Sequence, residues 1–345
     1  MQAMANEAAS ALNGASNNQA RTKLQSTERS GIRHLPLILA LIFCCYGSEC
    51  RAQAKAFSAA TSAMGAPAAT ISKEVQEVGV VLTVRNWLGH FVKDLNETDL
   101  RILDNGHPVD KITYFQSQTD LPLRVGIVVD ASASITNRYK FETKAANAFL
   151  RRVLNPDRDD AIVVGFNENV QLYRTASRER RFLPEKMTHL TPGGDTAIYD
   201  AVAFTCKELA KDRDVQPARR ALVLITDGED NSSHISLQQA IESALRSDTI
   251  VYVLSTNPDY SLSLGERGEI AMKQLAEATG GRLLRGDSND DVNHAFSKLD
   301  RELRNQYAIG YKPPSGRPDG LFHRLVVLGP KRLHIYHRQG YFAGR

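Results

Sequence analysis

Cysteine is scarce in this sequence, with 4 residues in a chain of 345. Cys44, Cys45 and Cys50 lie in or beside an N-terminal apolar run. If that run is removed on export, only Cys206 remains and an internal disulfide cannot form. Because Cys206 shares a predicted helical face with aliphatic residues, we expect it to be a buried small hydrophobe rather than a nucleophile.

An excess of charge of one sign is also missing. The sequence has 43 Lys and Arg against 39 Asp and Glu, a net charge of +4 that is too small to indicate a nucleic-acid partner. The densest basic run, residues 174–181, has no interleaved aromatic residues, which favours a solvated loop. The patterns H-E-x-x-H, G-x-S-x-G and G-x-x-x-x-G-K-[ST] do not occur, so the sequence carries none of these catalytic or nucleotide-binding signatures.

The longest apolar run, residues 35–46, is too short to span a bilayer as a helix. Basic residues precede it and the small residues of AQA, ending at Ala54, follow it. This order is typical of a secretory signal, so we predict a signal peptide over residues 1–54, cleavage after Ala54 and a periplasmic or extracellular protein. A lipoprotein anchor on Cys44, Cys45 or Cys50 is the alternative, although none of these cysteines follows a small residue. We expect no transmembrane span in the mature chain.

Residues 55–72 are rich in Ala, Ser and Thr and are predicted to be a linker. Residues 73–120 alternate in the manner of β-strands, residues 121–304 alternate apolar strands with amphipathic helices, and residues 305–345 return to strands. The central pattern predicts an α/β domain with a doubly wound, mainly parallel sheet covered on both faces. Each flank offers about three strands, the last being residues 332–342, and three strands are marginal alone. We therefore expect the flanks to pair into one small β-sandwich, with two separate subdomains as the alternative.

Polar oxygen ligands follow the apolar strands of the central domain. Asp130 ends the strand RVGIVVD and is followed by Ser132 and Ser134, and Asp227 follows the strand ALVLIT. Thr196 comes after a Gly pair and just before a helix. Because ligands of open α/β sheets bind at the carboxyl ends of strands, these five side chains can meet there. Two carboxylates and three hydroxyls suit a hard divalent cation, which would also offset the cost of burying Asp130.

This constellation, D-x-S-x-S at 130–134, Thr196 in G-G-x-T and Asp227 in T-D-G, resembles the metal-ion-dependent adhesion site of von Willebrand factor type A domains. The flanks resemble the bacterial secreted vWFA-related proteins. The resemblance implies a Rossmann-like fold and a Mg²⁺ ion, with Mn²⁺ or Ca²⁺ as alternatives. It also implies direct contacts from Ser132, Ser134 and Thr196, and contacts through water from Asp130 and Asp227. The ion would take a Glu or Asp carboxylate of a partner protein as its last ligand.

Three functions agree with these observations. The first is an exported adhesion or protein-binding module whose metal captures an acidic side chain, without enzymatic activity. The second is a metal-dependent hydrolase, for which His189 and His234 are the nearest candidate bases. The third is a structural envelope protein whose metal only stabilises the sheet edge. Taken singly, each of the five residues could instead cap a turn or a helix.

Overall fold

The structure is a computed structural model, and it describes residues 77–117, 121–174, 187, 191–211, 218–256, 263–314 and 319–344. The predicted signal peptide, the predicted linker, residues 175–181 of the basic run and His189 lie outside these residues. Within the described part of the chain, no helix is both long enough and apolar enough to cross a membrane.

Strands and helices are numbered in chain order. The strands are β1 (Val78–Asn86), β2 (Arg101–Asp104), β3 (His107–Pro108), β4 (Ile112–Ser117), β5 (Leu123–Asp130), β6 (Asp160–Phe166), β7 (Val170–Arg174), β8 (Arg219–Thr226), β9 (Thr249–Ser255), β10 (Leu283–Arg285), β11 (Gln306–Tyr311), β12 (Phe322–Leu328), β13 (Leu333–Tyr336) and β14 (Gly340–Phe342). The helices are α1 (Tyr139–Val153), α2 (Ile198–Leu209), α3 (Leu237–Arg246), α4 (Ser263–Ala278) and α5 (Asn289–Leu303). A 3-10 turn covers Glu97–Asp99.

The central sheet has six strands in the order β10-β9-β8-β5-β6-β7, parallel except for β7. Its inner strands β5, β8 and β9 are buried along almost their whole length because both faces are covered, and their middle residues are apolar. One face packs against α1 and α5, where Phe149 and Phe296 stack with ring centroids 4.9 Å apart. The other face packs against α2, α3 and α4, and Cys206 is fully buried there as predicted.

Two four-stranded antiparallel sheets form the flanking sandwich. Their orders are β13-β1-β11-β4 and β14-β12-β2-β3, so each sheet combines strands from before and after the central domain. One core of aliphatic side chains and tyrosines lies between them. The predicted class, a doubly wound α/β fold with a flanking β-sandwich, is confirmed.

Three details of the strand and helix prediction were wrong. The segment 332–342 forms two strands in different sheets, because the chain between them turns to the central domain and Gln339 N donates to Ala278 O at 2.9 Å. Within the described residues, this division gives the C-terminal flank four strands rather than three, and the short strand β3 gives the N-terminal flank its fourth. The pattern of residues 269–281 predicts a helix from Glu269, but helix α4 begins at Ser263.

Candidate metal centre

The candidate site lies where β5 and β8 end. These strands are parallel neighbours, with Val129 paired to Ile225, so Asp130 and Thr226 leave the sheet side by side. The Thr226 hydroxyl donates to Asp130 Oδ2 at 2.7 Å, which joins the two strand ends through their side chains. The carboxyl ends of the central strands thus meet at one edge, as expected for a ligand-binding crevice.

Asp130 is fully buried. Its second carboxylate oxygen, Oδ1, accepts a hydrogen bond from Ser132 N at 2.8 Å. Burial raises the pKa of Asp130 to about 6, the hydrogen bonds from Ser132 and Thr226 lower this pKa, and the charge of Asp227 raises it. A carboxylate in this position is costly unless a positive charge lies near it.

Ser132 and Ser134 place their hydroxyl groups together. Their Oγ atoms are 3.0 Å apart, with Ser132 buried and Ser134 exposed. Two neighbouring ligands of an octahedral ion, each about 2.1 Å from the metal, lie about 3.0 Å from each other. The two hydroxyls are hydrogen-bonded to each other at this distance, and the same spacing is compatible with an octahedral cation such as Mg²⁺.

Thr196 is positioned by a loop that is hydrogen-bonded to the serine loop. Gly193 N donates to Ala131 O at 2.8 Å, and Ala133 N donates to Gly194 O at 3.2 Å. Gly194 has a φ of +83°, which an L side chain rarely adopts, so the turn requires glycine at this position. The loop therefore places the buried Thr196 next to the serine loop.

Asp227 follows β8 and is half-buried. The next residue, Gly228, has a φ of +101°, and its N donates to Thr226 Oγ1 at 3.1 Å. A Cβ atom on Gly268 of α4 would collide with Gly228 O, so this helix packs directly on the turn. The turn after Asp227 is thus fixed from two sides.

The segment that contains Asp130, Thr196 and Asp227 matches a family model. Residues 125–229 match the family model of the von Willebrand factor type A domain. A comparison with curated proteins found no match. Type A domains are mostly interaction modules, and the match covers the part of the chain that contains all five predicted ligands.

Several solved structures are similar to this chain. The D319A mutant of the PilB minor pilin from Streptococcus sanguinis is 13% identical to this chain, with a TM-score of 0.39. The similarity covers 54% of this chain and 62% of the pilin chain. An aerotolerance-related membrane protein from Bacteroides fragilis is 18% identical, with a TM-score of 0.38, 52% of this chain and 98% of that chain covered. The pilus adhesin SpaC from Lactobacillus rhamnosus GG is 11% identical, with a TM-score of 0.43, 74% of this chain and 48% of that chain covered. The chain spans less than two thirds of the length of the pilin and of the adhesin.

The polar residues that follow Asp227 mainly hold the site's loops in place. Asn231 Oδ1 accepts from Thr196 N at 2.8 Å, and Asn231 N donates back to Thr196 O at 3.0 Å. Asp200 accepts from His234 N at 3.0 Å and lies 2.7 Å from His234 Nδ1, so it caps this loop rather than facing solvent alone. Asp195 is exposed, and its N donates to Glu168 Oε2 at 3.1 Å.

Two further residues organise this edge, Thr226, to which the sequence assigned no role, and Asn231, which was expected with equal weight to take part in recognition or to be solvated. Each lies next to a predicted ligand or close after it, and a hydroxyl or amide there is a general signal for turn formation only. Their partners, Asp130 and Thr196, are 96 and 35 residues away in sequence, which spacing alone does not reveal.

The donor set is one that a hard cation prefers. Among the described residues, no group of three or more His, Cys, Asp or Glu side chains converges as a metal site would require. The candidate site depends instead on three hydroxyls, with Asp130 and Asp227 as its only acidic members. Mg²⁺ keeps several waters and needs few protein ligands, so this mixed set fits it better than it fits Zn²⁺, which prefers His and Cys.

Proposed function

We propose that the chain is an exported, metal-dependent protein-binding module without enzymatic activity. Ser132, Ser134 and Thr196 would hold Mg²⁺ directly, and Asp130 and Asp227 would hold it through water. Mn²⁺ or Ca²⁺ would occupy the same position. The bound cation supplies a Lewis acid with an open coordination position, and the partner is a protein that offers a Glu or Asp carboxylate.

One observation carries this proposal. Two serine hydroxyls lie 3.0 Å apart beside the fully buried carboxylate of Asp130, in a loop that is hydrogen-bonded to the loop of Thr196. Hydroxyl ligands are neutral, so a divalent ion on them keeps most of its positive charge and attracts an external carboxylate. The match of residues 125–229 to a family of interaction modules supports the same function.

The hydrolase alternative receives no specific support from the described residues. His234 lies in the loop that follows Asp227 and is bound to Asp200. His189 lies outside the described residues. A general base must reach the water that it activates. The His234 ring, with its side chain 86% exposed, is held by Asp200 and not by a proposed ligand.

Calorimetry with Mg²⁺ and Mn²⁺ tests the metal site. We expect wild-type protein to bind both ions and Asp130→Asn to lose binding while its unfolding by heat remains cooperative. Equal affinities in the two proteins would contradict the site. Either kind of metal raises the melting temperature of wild type by mass action, so a purely structural metal is distinguished by the absence of carboxylate binding.

Capture of a carboxylate is tested on the Mn²⁺-loaded protein by water proton relaxation. The N-methylamide of N-acetylglutamate, whose one carboxylate is on the side chain, should displace metal-bound water and lower the relaxation enhancement. The N-methylamide of N-acetylglutamine, which has the same shape without a carboxylate, should not. An identical response to the two compounds, or none to either, would overturn the binding function and leave only a metal site.

A further inference from the structure

Helix α1 carries a buried carboxylate that the five candidate ligands do not explain. Glu142 is fully buried. Neither of its carboxylate oxygens has a hydrogen-bond partner among the described residues. Glutamate is almost never fully buried without a partner, because removing its charge from water costs several kcal/mol. This position therefore needs donors and positive charge that the described side chains do not supply.

Glu142 lies at the same sheet edge as the candidate metal site. The hydroxyl of Thr256 faces Glu142 and lowers its pKa in the manner of a hydrogen bond, but the two groups lie outside the geometry of a well-formed one. Thr256 follows β9, and its N donates to Thr226 O at 2.9 Å. Thr226 in turn donates to Asp130, so the strand ends that carry Thr256 and Asp130 are connected through Thr226, and Glu142 of α1 lies beside them.

The nearest positive charge is directed elsewhere. Arg138 lies one turn before Glu142, but its Nη2 atom donates to Gly286 O at 3.0 Å and to Asp287 O at 2.8 Å. Its Nη1 atom is buried and has no hydrogen-bond partner among the described residues. Arg138 therefore lowers the pKa of Glu142 at a distance without forming an ion pair with it.

Three carboxylates influence one another here. Burial raises the pKa of Glu142 to about 7, Thr256 and Arg138 lower this pKa, and the charges of Asp130 and Asp227 raise it. These three acidic groups do not converge tightly enough to bind one ion directly. A hydrated cation held near Asp130 would still interact with Glu142, through its charge and through its water molecules.

We propose that Glu142 is a positioning residue of the metal centre, whose buried carboxylate accepts hydrogen bonds from the water shell of the cation and adds a third negative charge to those of Asp130 and Asp227. This inference depends on the proposed metal-binding function. The waters of the cation would donate to the two carboxylate oxygens of Glu142. The charge of Glu142 would add to the electrostatic attraction that the two aspartates exert on the cation. A cation in this position also satisfies the hydroxyl of Thr256 through the same waters.

The test is the affinity of the full chain for Mg²⁺, measured by calorimetry on wild type, Glu142→Gln and Glu277→Gln. Glutamine keeps the shape of Glu142 and removes its charge, and we expect Mg²⁺ to bind about tenfold more weakly, or weaker still, from the lost Coulomb attraction. Glu277 is exposed at the end of α4, so Glu277→Gln makes the same chemical change and should leave the affinity unchanged. Without metal, Glu142→Gln should melt no lower than wild type, because it loses an unpaired buried charge.

The outcomes separate the inference from the function on which it depends. If wild type binds Mg²⁺ and Glu142→Gln binds it equally well, Glu142 is only structural and the inference is wrong. If wild type binds no Mg²⁺, the proposed function fails and the inference fails with it. If the glutamine variant does not fold, Glu142→Asp decides, because it withdraws the carboxylate by one methylene. Weaker binding than wild type by this variant supports the inference, and equal binding overturns it.

Discussion

At the scale of single residues, the sandwich contains a buried acid–base cluster centred on His323. The His323 ring is buried between two carboxylates, with Nδ1 3.1 Å from Asp104 Oδ1 and Nε2 3.1 Å from Asp319 Oδ2. The hydroxyls of Tyr311 and Tyr341 donate to Asp104 Oδ2 at 3.0 and 2.7 Å. Each polar group in this cluster is therefore bound to another, as a buried polar network requires.

The cluster should make the stability of the protein depend on pH. Burial lowers the pKa of His323, but hydrogen bonds and charge from Asp319 and Asp104 outweigh it, so the pKa is raised above its ordinary value. Protonated His323 therefore stabilises the folded protein. Its contribution is fully present at pH values below the pKa of His in the unfolded chain, about 6.5, and it is lost as the pH rises through the pKa of His323 in the folded protein. We expect the difference in melting temperature between wild type and His323→Asn to be larger at about pH 6 than at about pH 9. A difference that stays constant or grows with pH would contradict this prediction.

At the scale of elements, the turn before α2 determines how Thr196 meets the serine loop. Gly194 has a φ of +83°, and a Cβ atom there would collide with the Glu168 carboxylate. Gly193 has an ordinary φ, and a Cβ atom there would meet nothing within 4 Å. The two neighbouring glycines therefore differ in what an added methyl group would do.

We expect Gly194→Ala to lose about 1–2 kcal/mol of stability and to weaken Mg²⁺ binding, because the strained turn displaces Thr196. Gly193→Ala should change neither quantity and serves as the matched control. Urea denaturation measures the first effect and calorimetry the second. Equal behaviour of the two variants would show that the turn does not control the site.

The regular elements were predictable because their signals are local. β6 and β9 are apolar runs bounded by turns, and α3 begins at a Ser236 that caps it by accepting from Gln239 N. The division of residues 332–342 was not predictable. Between the two strands Gln339 N donates to Ala278 O, and these residues are far apart in sequence, so a local pattern does not reveal the contact.

The site could be predicted in part for the same reason. The five candidate ligands follow strands or precede a helix in a recognisable order, whereas Thr226 and Glu142 gain their significance from residues that other elements bring to them. Glu142 in particular lies on an amphipathic helix, where a glutamate is ordinarily a solvated residue. The free-energy cost of its burial is evident only once the helix is packed on the sheet.

At the scale of the whole molecule, buried charges join the sandwich to the α/β domain. Glu302, near the end of α5, is buried and forms ion pairs with Arg282 and, at 3.1 Å, with Arg85 of β1. Burial raises the pKa of Glu302, and the two guanidinium groups lower it. Arg338 adds a second connection, since it pairs with Asp248 of the central domain and donates to Gly79 O of β1 at 2.7 Å. The two domains therefore share charged groups whose separation would leave them unpaired.

Glu302→Ala should consequently destabilise the whole described unit. Removing one partner of a buried ion pair costs about 3–5 kcal/mol, and the lower end applies because the side chains of Arg85 and Arg282 are 15% and 19% exposed. Asp300→Ala on the same helix is the control, because Asp300 pairs with Arg152 and Arg304, whose side chains are 45% and 57% exposed. We expect this variant to lose less than about 1 kcal/mol of stability. Urea denaturation followed by both tryptophan fluorescence and far-UV circular dichroism measures these changes. Trp87 follows β1 and reports on the sandwich, whereas circular dichroism reports on the helices of the α/β domain. We expect the two unfolding transitions to coincide and to shift together in Glu302→Ala. A shift in only one signal would show that the domains unfold independently.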